Sequence, residues 1–77
     1  MASLRHERLY TTDELHALEQ KIYQLWASDN RITVYTIYNK INFNADGSRI
    51  QDNGVTMELI SLDFINAVIE DILVARR

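Results

Sequence analysis

Two segments of the chain carry their apolar residues at helical spacing, and the first follows a capping sequence. Its apolar residues from Leu15 to Trp26 recur at intervals of three and four, which places them on one helical face. Thr11 and Glu14 precede them at the spacing of a capping box, where a hydroxyl and a carboxylate satisfy the first backbone N–H groups. The pattern predicts a helix over residues 12–27.

The second helical segment follows Ser61, which stands in position to cap it, with Asp63 in the first turn. We predict a helix over residues 62–76. Its apolar residues cover about half of the circumference, which is wider than contact with one small layer requires. The sequence therefore predicts that a second copy or another protein covers part of this face. The candidate interface residues are Leu62, Ile65, Val68, Ile69, Ile72 and Leu73.

The segment between the two helices favours a small sheet. Residues 31–38 are β-branched or aromatic at nearly every position, which favours a strand. Residues 44–47 and 52–54 are typical hairpin turns, and residues 55–60 alternate as a strand would. The favoured fold class is α+β: a helix, a two- or three-stranded antiparallel meander within residues 31–60, and a second helix.

An all-α alternative competes with this fold. The apolar residues of segment 34–41 also recur at helical spacing, and residues 55–72 contain no helix breaker. On this alternative the chain is a three-helix array with a polar loop over residues 42–53. Two questions stay open at this point: whether residues 31–43 are strand or helix, and whether residues 55–76 are one helix or a strand followed by a helix.

Length and composition limit the chain to one small domain with a small core. The 77 residues include no cysteine, so neither a disulfide nor a cysteine-based zinc site can supplement that core. Residues 1–10 are predicted to be a flexible segment and residues 11–77 the compact domain. No apolar run approaches the roughly 20 residues of a membrane span, and the first residues lack the apolar stretch of a secretory signal. We therefore expect a cytoplasmic protein with no membrane partner.

No group of residues has the pattern of an active site. No serine stands in a Gly-x-Ser-x-Gly elbow, and the isolated Gly47 and Gly54 belong to no phosphate-binding sequence. Residues 42–47 match the start of a calcium loop, but Asn53 stands where a bidentate glutamate is required. We therefore predict a protein that is not an enzyme, with no catalytic residues, no cofactor and no metal site.

These observations favour a function in contact with other proteins. The protein is acidic, with a formal charge of −3 and an isoelectric point near 5.2. Together with the wide apolar face over residues 62–76, this predicts a small, non-catalytic regulatory protein of the adaptor type. We expect it to act through protein–protein contacts, with a protein partner or as a homodimer formed through its C-terminal helix.

The alternative function is a nucleic-acid-binding regulator that uses the central segment 31–50. The predicted helices are acidic, but cations outnumber carboxylates in residues 30–54. These cations could therefore contact the phosphates of a nucleic acid. If residues 33–42 are helical, they would be a groove-reading helix in a winged or helix-turn-helix arrangement. The net negative charge disfavours nucleic acid as a partner. The candidate contacts are Arg31, Tyr35, Lys40, Phe43 and Arg49.

Overall fold

The computed structural model describes residues 7–29 and 31–75, which form three helices and one three-stranded sheet. The elements along the chain are β1 (Glu7–Arg8), α1 (Thr12–Ser28), α2 (Val34–Asn42), β2 (Gln51–Asp52), β3 (Val55–Met57) and α3 (Leu62–Ala75). The predicted α+β class is confirmed, and the all-α alternative is not supported.

Helix α1 begins with the predicted capping box. The Glu14 N–H donates to the Thr11 hydroxyl oxygen at 3.2 Å, and the Thr11 N–H donates to the Glu14 carboxylate at 2.9 Å. Helix α3 begins in a similar way, since the Phe64 N–H donates to the Ser61 hydroxyl oxygen at 3.1 Å. The local signals in the sequence therefore located both helix starts correctly.

Helix α2 corrects the strand predicted within residues 31–38, and for this segment the helical alternative is right. Thr33 caps it by accepting a hydrogen bond from the Thr36 N–H at 3.2 Å, and Ile37 and Ile41 are buried one turn apart. A β-branched residue lowers helix propensity by a fraction of a kcal/mol, whereas burying an isoleucine contributes about 1.5–3 kcal/mol. Burial therefore outweighs local β propensity in this segment.

Strands β2 and β3 form the predicted antiparallel hairpin, with Asp52 opposite Val55. Both turn residues have positive φ, 54° at Asn53 and 81° at Gly54, as a two-residue type I′ turn requires. Because β3 ends at Met57 and α3 starts separately at Leu62, the alternative of one helix over residues 55–76 is wrong.

The third strand is β1, which pairs with β3 in parallel, so the sheet is mixed and has the order β1-β3-β2. This corrects the predicted antiparallel meander. Residues 7 and 8 of the predicted flexible segment form this strand; residues 1–6 lie outside the described residues, and the flexibility of residues 1–10 stays a prediction. Arg8 connects β1 to α1 and β2 through its side chain. Its guanidinium donates to both Glu14 carboxylate oxygens, at 2.9 and 2.8 Å, and to the Asp52 carboxylate at 2.9 Å.

The hydrophobic core lies among the three helices. Its central cluster consists of isoleucines from the helices and the segment before α3, and Met57 and Ile72 are also buried. The cluster residues are Ile22, Ile37, Ile41, Ile60, Ile65 and Ile69. Half-buried residues of α1 and α3, including Leu18, Trp26 and Phe64, pack against this cluster. Because α2 turns its isoleucines inward, its opposite side is left exposed.

Candidate functional site

The exposed side of α2 carries four hydrogen-bonding side chains in one strip. Tyr35, Thr36, Asn39 and Lys40 are all exposed, and their spacing places them along one side of two helical turns. Tyr35 is 69 % exposed, which is high for an aromatic side chain. We call these four residues the α2 strip.

A cleft with a volume of about 600 Å³ lies beside the α2 strip. Lys21 and Leu25 of α1 line one side, Lys40 lines another, and Phe43 lies where the chain leaves α2. The lining contains two lysines and, among the residues that the structure describes, no carboxylate. The cleft is therefore a local region of positive charge in an acidic protein.

The ion pairs of the molecule explain why positive charge is available here. Arg8 and Arg49 are both engaged by carboxylates of the protein itself. Within residues 7–29 and 31–75, Lys21, Arg31 and Lys40 form no ion pair with any carboxylate. These three cations belong to α1, the connection before α2 and α2, and they are available to an external anion.

The pairing of Arg8 with Glu14 is a structural interaction. The Arg8 guanidinium, followed by the Thr11 N–H, holds the pKa of Glu14 at about 2, far below its ordinary range. The same hydrogen bonds raise the pKa of Arg8 above its ordinary value. Both groups are thus charged at neutral pH, and they hold β1 and the start of α1 together.

The structure assigns different environments to the five predicted nucleic-acid contacts. Arg31, Tyr35 and Lys40 are exposed, as contact with a ligand requires. Phe43 is half-buried at the edge of the cleft. The backbone of Arg49 pairs with Phe43, but its guanidinium is engaged elsewhere, because it donates to the Glu7 carboxylate at 3.0 Å and to the Met57 carbonyl at 2.8 Å. Arg49 is therefore a structural residue of the sheet.

Three members of the site, Lys21, Thr36 and Asn39, were missed by sequence reasoning. Lys21 comes from α1, which the sequence indicated to be an acidic helix. Asn39 lies on the same side as Tyr35 only when residues 34–42 are helical. The i, i+4 spacing of Tyr35 and Asn39 was the available signal, and it depended on the helical alternative.

The six residues predicted to form an interface on α3 differ in exposure, and their role as an interface stays a prediction. Ile65, Ile69 and Ile72 are buried within the single chain, because α3 packs against both α1 and α2 and so uses its wide apolar face internally. Ile65 has no exposed surface and cannot contact a partner while the chain keeps this fold, whereas Ile72 also lines a cleft between α1 and α3. Leu62 and Val68 are half-buried, and Leu73 is 47 % exposed. Self-association stays a prediction.

A second cleft, of about 370 Å³, lies between α1 and α3 and has the opposite charge. Tyr23 and Val68 supply apolar surface, while Glu19 and Asp71 supply carboxylates. Phosphate would be repelled there. The basic cleft thus lies between α1 and the end of α2, and the acidic cleft lies between α1 and α3.

The segment that matched the start of a calcium loop forms a turn in which its carboxylate is engaged. The Asp46 carboxylate accepts from the Ser48 N–H at 2.9 Å and from the Ser48 hydroxyl at 2.7 Å, and these bonds lower its pKa. Within residues 7–29 and 31–75, no three His, Asp or Glu side chains are grouped so that they could hold a metal ion.

None of the helices in the described part of the chain combines the length and the apolar character needed to cross a membrane. The cytoplasmic location stays a prediction. Comparison with protein-family models, curated proteins and solved structures finds no match for this chain. A functional proposal therefore depends on the chemistry of the surface.

Proposed function

We propose that this protein is a small, non-catalytic binding domain whose ligand is nucleic acid. The α2 strip provides the contact surface, Lys21 lies across the adjacent cleft, and Arg31 lies three residues before the first residue of α2. The observation that carries the proposal is the placement of cations. Three cations form no ion pair within the described residues, and they belong to α1, α2 and the connection between these helices. The same part of the molecule carries the exposed hydrogen-bonding groups of the α2 strip. Neutralisation of phosphate is the main source of non-specific affinity for nucleic acid.

The net charge of −3 is compatible with this function because charge acts locally. At physiological ionic strength, exposed charges are screened over about 8 Å, whereas the molecule is 49 Å long. Many of the carboxylates lie on α3, in the α1–α3 cleft or in ion pairs around Arg8 and Arg49. A phosphate at the basic cleft would interact mainly with Lys21 and Lys40.

The test is a titration of fluorescently labelled nucleic acid, a duplex DNA of about 20 base pairs and a single-stranded RNA of the same length, at two salt concentrations. Each phosphate contact contributes about −0.9 to the slope of log affinity against log salt on duplex DNA. Three contacts then predict about a 40-fold loss of affinity between 50 and 200 mM NaCl. Absence of binding to both probes at the lower salt concentration would refute the proposal.

A matched pair of variants locates the contact. The double variant K21Q K40Q removes two charges from the cleft and should leave a loss of only about fourfold over the same salt range. The control R76Q R77Q changes the net charge by the same amount at other positions. The proposal expects K21Q K40Q to bind much more weakly than the control; equal binding by the two variants would contradict it.

Self-association through α3 is a second proposal, now limited to the residues that remain exposed. Leu73 and Val74 are 47 % and 63 % exposed near the end of α3, and apolar side chains in this position are suited to contact with a second copy or a protein partner. Sedimentation equilibrium tests it. A dimer that is lost in L73E V74E would support this contact, and a 9.0 kDa monomer at high protein concentration would refute self-association.

A further inference from the structure

We infer that the nucleic acid is double-stranded DNA, that α2 lies in its major groove, and that Asn39 selects a base there. This inference rests on the proposed function and specifies the ligand of the same surface. The observations behind it are the dimensions of α2, the hydrogen-bonding state of Asn39 and the environment of the aromatic residues.

The dimensions of α2 fit the major groove. Nine residues give a helix roughly 13 Å long and 10–12 Å across with its side chains. The major groove of B-form DNA is about 12 Å wide and admits an α-helix, whereas the minor groove, about 6 Å wide, does not. The α2 strip runs along the side of the helix opposite the core and would face the floor of the groove.

Asn39 is the side chain in the strip best suited to distinguish bases. Its amide both donates and accepts, which matches the N6 and N7 groups that adenine presents in the major groove. Within residues 7–29 and 31–75, this amide makes no hydrogen bond. The hydroxyl of Thr36, by contrast, lies 3.0 Å from the hydroxyl of Thr33 and belongs to the helix cap. Asn39 is therefore free to bond with a base edge.

The aromatic residues near the strip are poorly placed for single strands. Proteins that hold single-stranded nucleic acid stack successive bases on exposed aromatic rings. Tyr38 and Phe43 are half-buried and pack against each other, with ring centroids 6.3 Å apart and an interplanar angle of 57°. Tyr35 alone in the strip exposes its ring, which gives no platform for several bases. The surface is better suited to a duplex than to a flexible strand.

The two cations outside the strip have a separate part in this arrangement. Contacts with phosphate orient a protein on DNA without reading its sequence, whereas contacts with base edges specify the sequence. Lys21 and Arg31 lie outside α2 and would contact the phosphate backbone of the DNA. Loss of Asn39 should therefore remove sequence preference, and loss of the cations should weaken binding to all sequences.

Selection from a library of random duplexes of about 20 base pairs tests the inference. Wild-type protein is expected to enrich a short motif that contains adenine, and to bind the duplex library more tightly than a random single-stranded RNA of equal length. Because the variant N39A keeps every charge, we expect it to retain the wild-type salt slope on the random duplex. It should lose roughly 5- to 100-fold of the preference for the enriched motif.

Each outcome decides a different point. Tighter binding to the single-stranded RNA, no enriched motif with wild type, or an unchanged motif with N39A would overturn the inference while the proposed function stands. Absence of binding to every probe would overturn the proposed function itself. Circular dichroism establishes that N39A is folded, and N39Q, which displaces the amide by one methylene, gives an independent test of the same preference.

Discussion

The side-chain amide of Asn42 forms two hydrogen bonds with the backbone of Ile60. Its Nδ2 donates to the Ile60 carbonyl at 3.0 Å, and its Oδ1 accepts from the Ile60 N–H at 2.7 Å. Asn42 is the last residue of α2 and is buried, and Ile60 lies between β3 and α3. The Asn42 amide thus takes the place of a backbone partner for Ile60. Because Asn42 ends α2 and Ile60 precedes α3, the two hydrogen bonds fix the end of α2 relative to the start of α3.

Replacing Asn42 by alanine should therefore destabilise the fold strongly. The change leaves a buried N–H and a buried carbonyl without partners, and each such group costs about 1–3 kcal/mol. For the two groups together we expect a loss of about 2–6 kcal/mol in the free energy of unfolding, measured with urea. The control N39A, on the exposed side of the same helix, should change it by less than about 0.5 kcal/mol. Equal effects of the two variants would show that the pairing with Ile60 contributes nothing.

The burial of α3 gives a second prediction, which separates core residues from candidate contact residues. Ile65 is fully buried, so I65A should cost about 2–5 kcal/mol of unfolding free energy. Leu73 is 47 % exposed, and L73A should cost less than about 1 kcal/mol. The measurement is urea unfolding at a protein concentration where the protein is monomeric. A larger effect at Leu73 than at Ile65 would contradict the described position of α3.

The turn between β2 and β3 makes a third prediction at Gly54. Its φ of 81° is unfavourable for residues with a side chain, although a Cβ there would meet no atom within 4 Å. G54A should therefore lower the unfolding free energy by about 1–2 kcal/mol through backbone conformation alone. The control N53G places glycine at the neighbouring positive φ and should have little effect. Thermal unfolding of both variants provides the comparison, and a fully stable G54A would exclude the type I′ turn.

The ion pair between Arg8 and Glu14 predicts a specific loss of stability in acid. In the unfolded chain Glu14 binds its proton near the ordinary pKa of 4.5, whereas in the folded protein it does so only near 2. Between these pH values the unfolded state binds more protons, so stability falls as the pH falls. The stabilisation from this pair is complete above about pH 5 and is lost as the pH approaches about 2.

Measurement of the urea midpoint from neutral pH down to about pH 2 checks this dependence. E14Q keeps the shape of the side chain but removes the charge, so its midpoint should be lower than wild type at neutral pH and should fall less in acid. E70Q removes an exposed carboxylate from α3 and serves as the control, with a pH profile parallel to that of wild type. If E14Q also had the wild-type profile, the pairing with Arg8 would not contribute to stability.

Much of the fold could be predicted because its determinants are local. The capping sequences at Thr11 and Ser61 and the turn at Asn53-Gly54 act within a few residues, and each forms the predicted element. Helix α2 could not be assigned in the same way. Its β-branched residues favour a strand locally, and only burial against α1 and α3 decides for the helix.

The remaining errors concern contacts between residues far apart in the sequence. Strand β1 has two residues, too few for a periodic pattern, and its attachment depends on Arg8 meeting Asp52, 44 positions away. For the same reason the sequence identified Arg31, Tyr35 and Lys40 as surface candidates but could not show that Lys21 lies near Lys40. It also could not show that Arg49 is engaged by Glu7.

The most direct test of the account is to map the contact surface by NMR. A ¹⁵N-labelled sample is titrated with an unlabelled duplex DNA of about 20 base pairs at low salt, and the backbone amide shifts are followed. We expect the largest changes on residues 35–40 and on Lys21, with the amides of residues 70–75 in α3 nearly unchanged. If no amide shifts under these conditions, or if the largest changes fall on α3, the assignment of nucleic-acid binding to α2 is wrong.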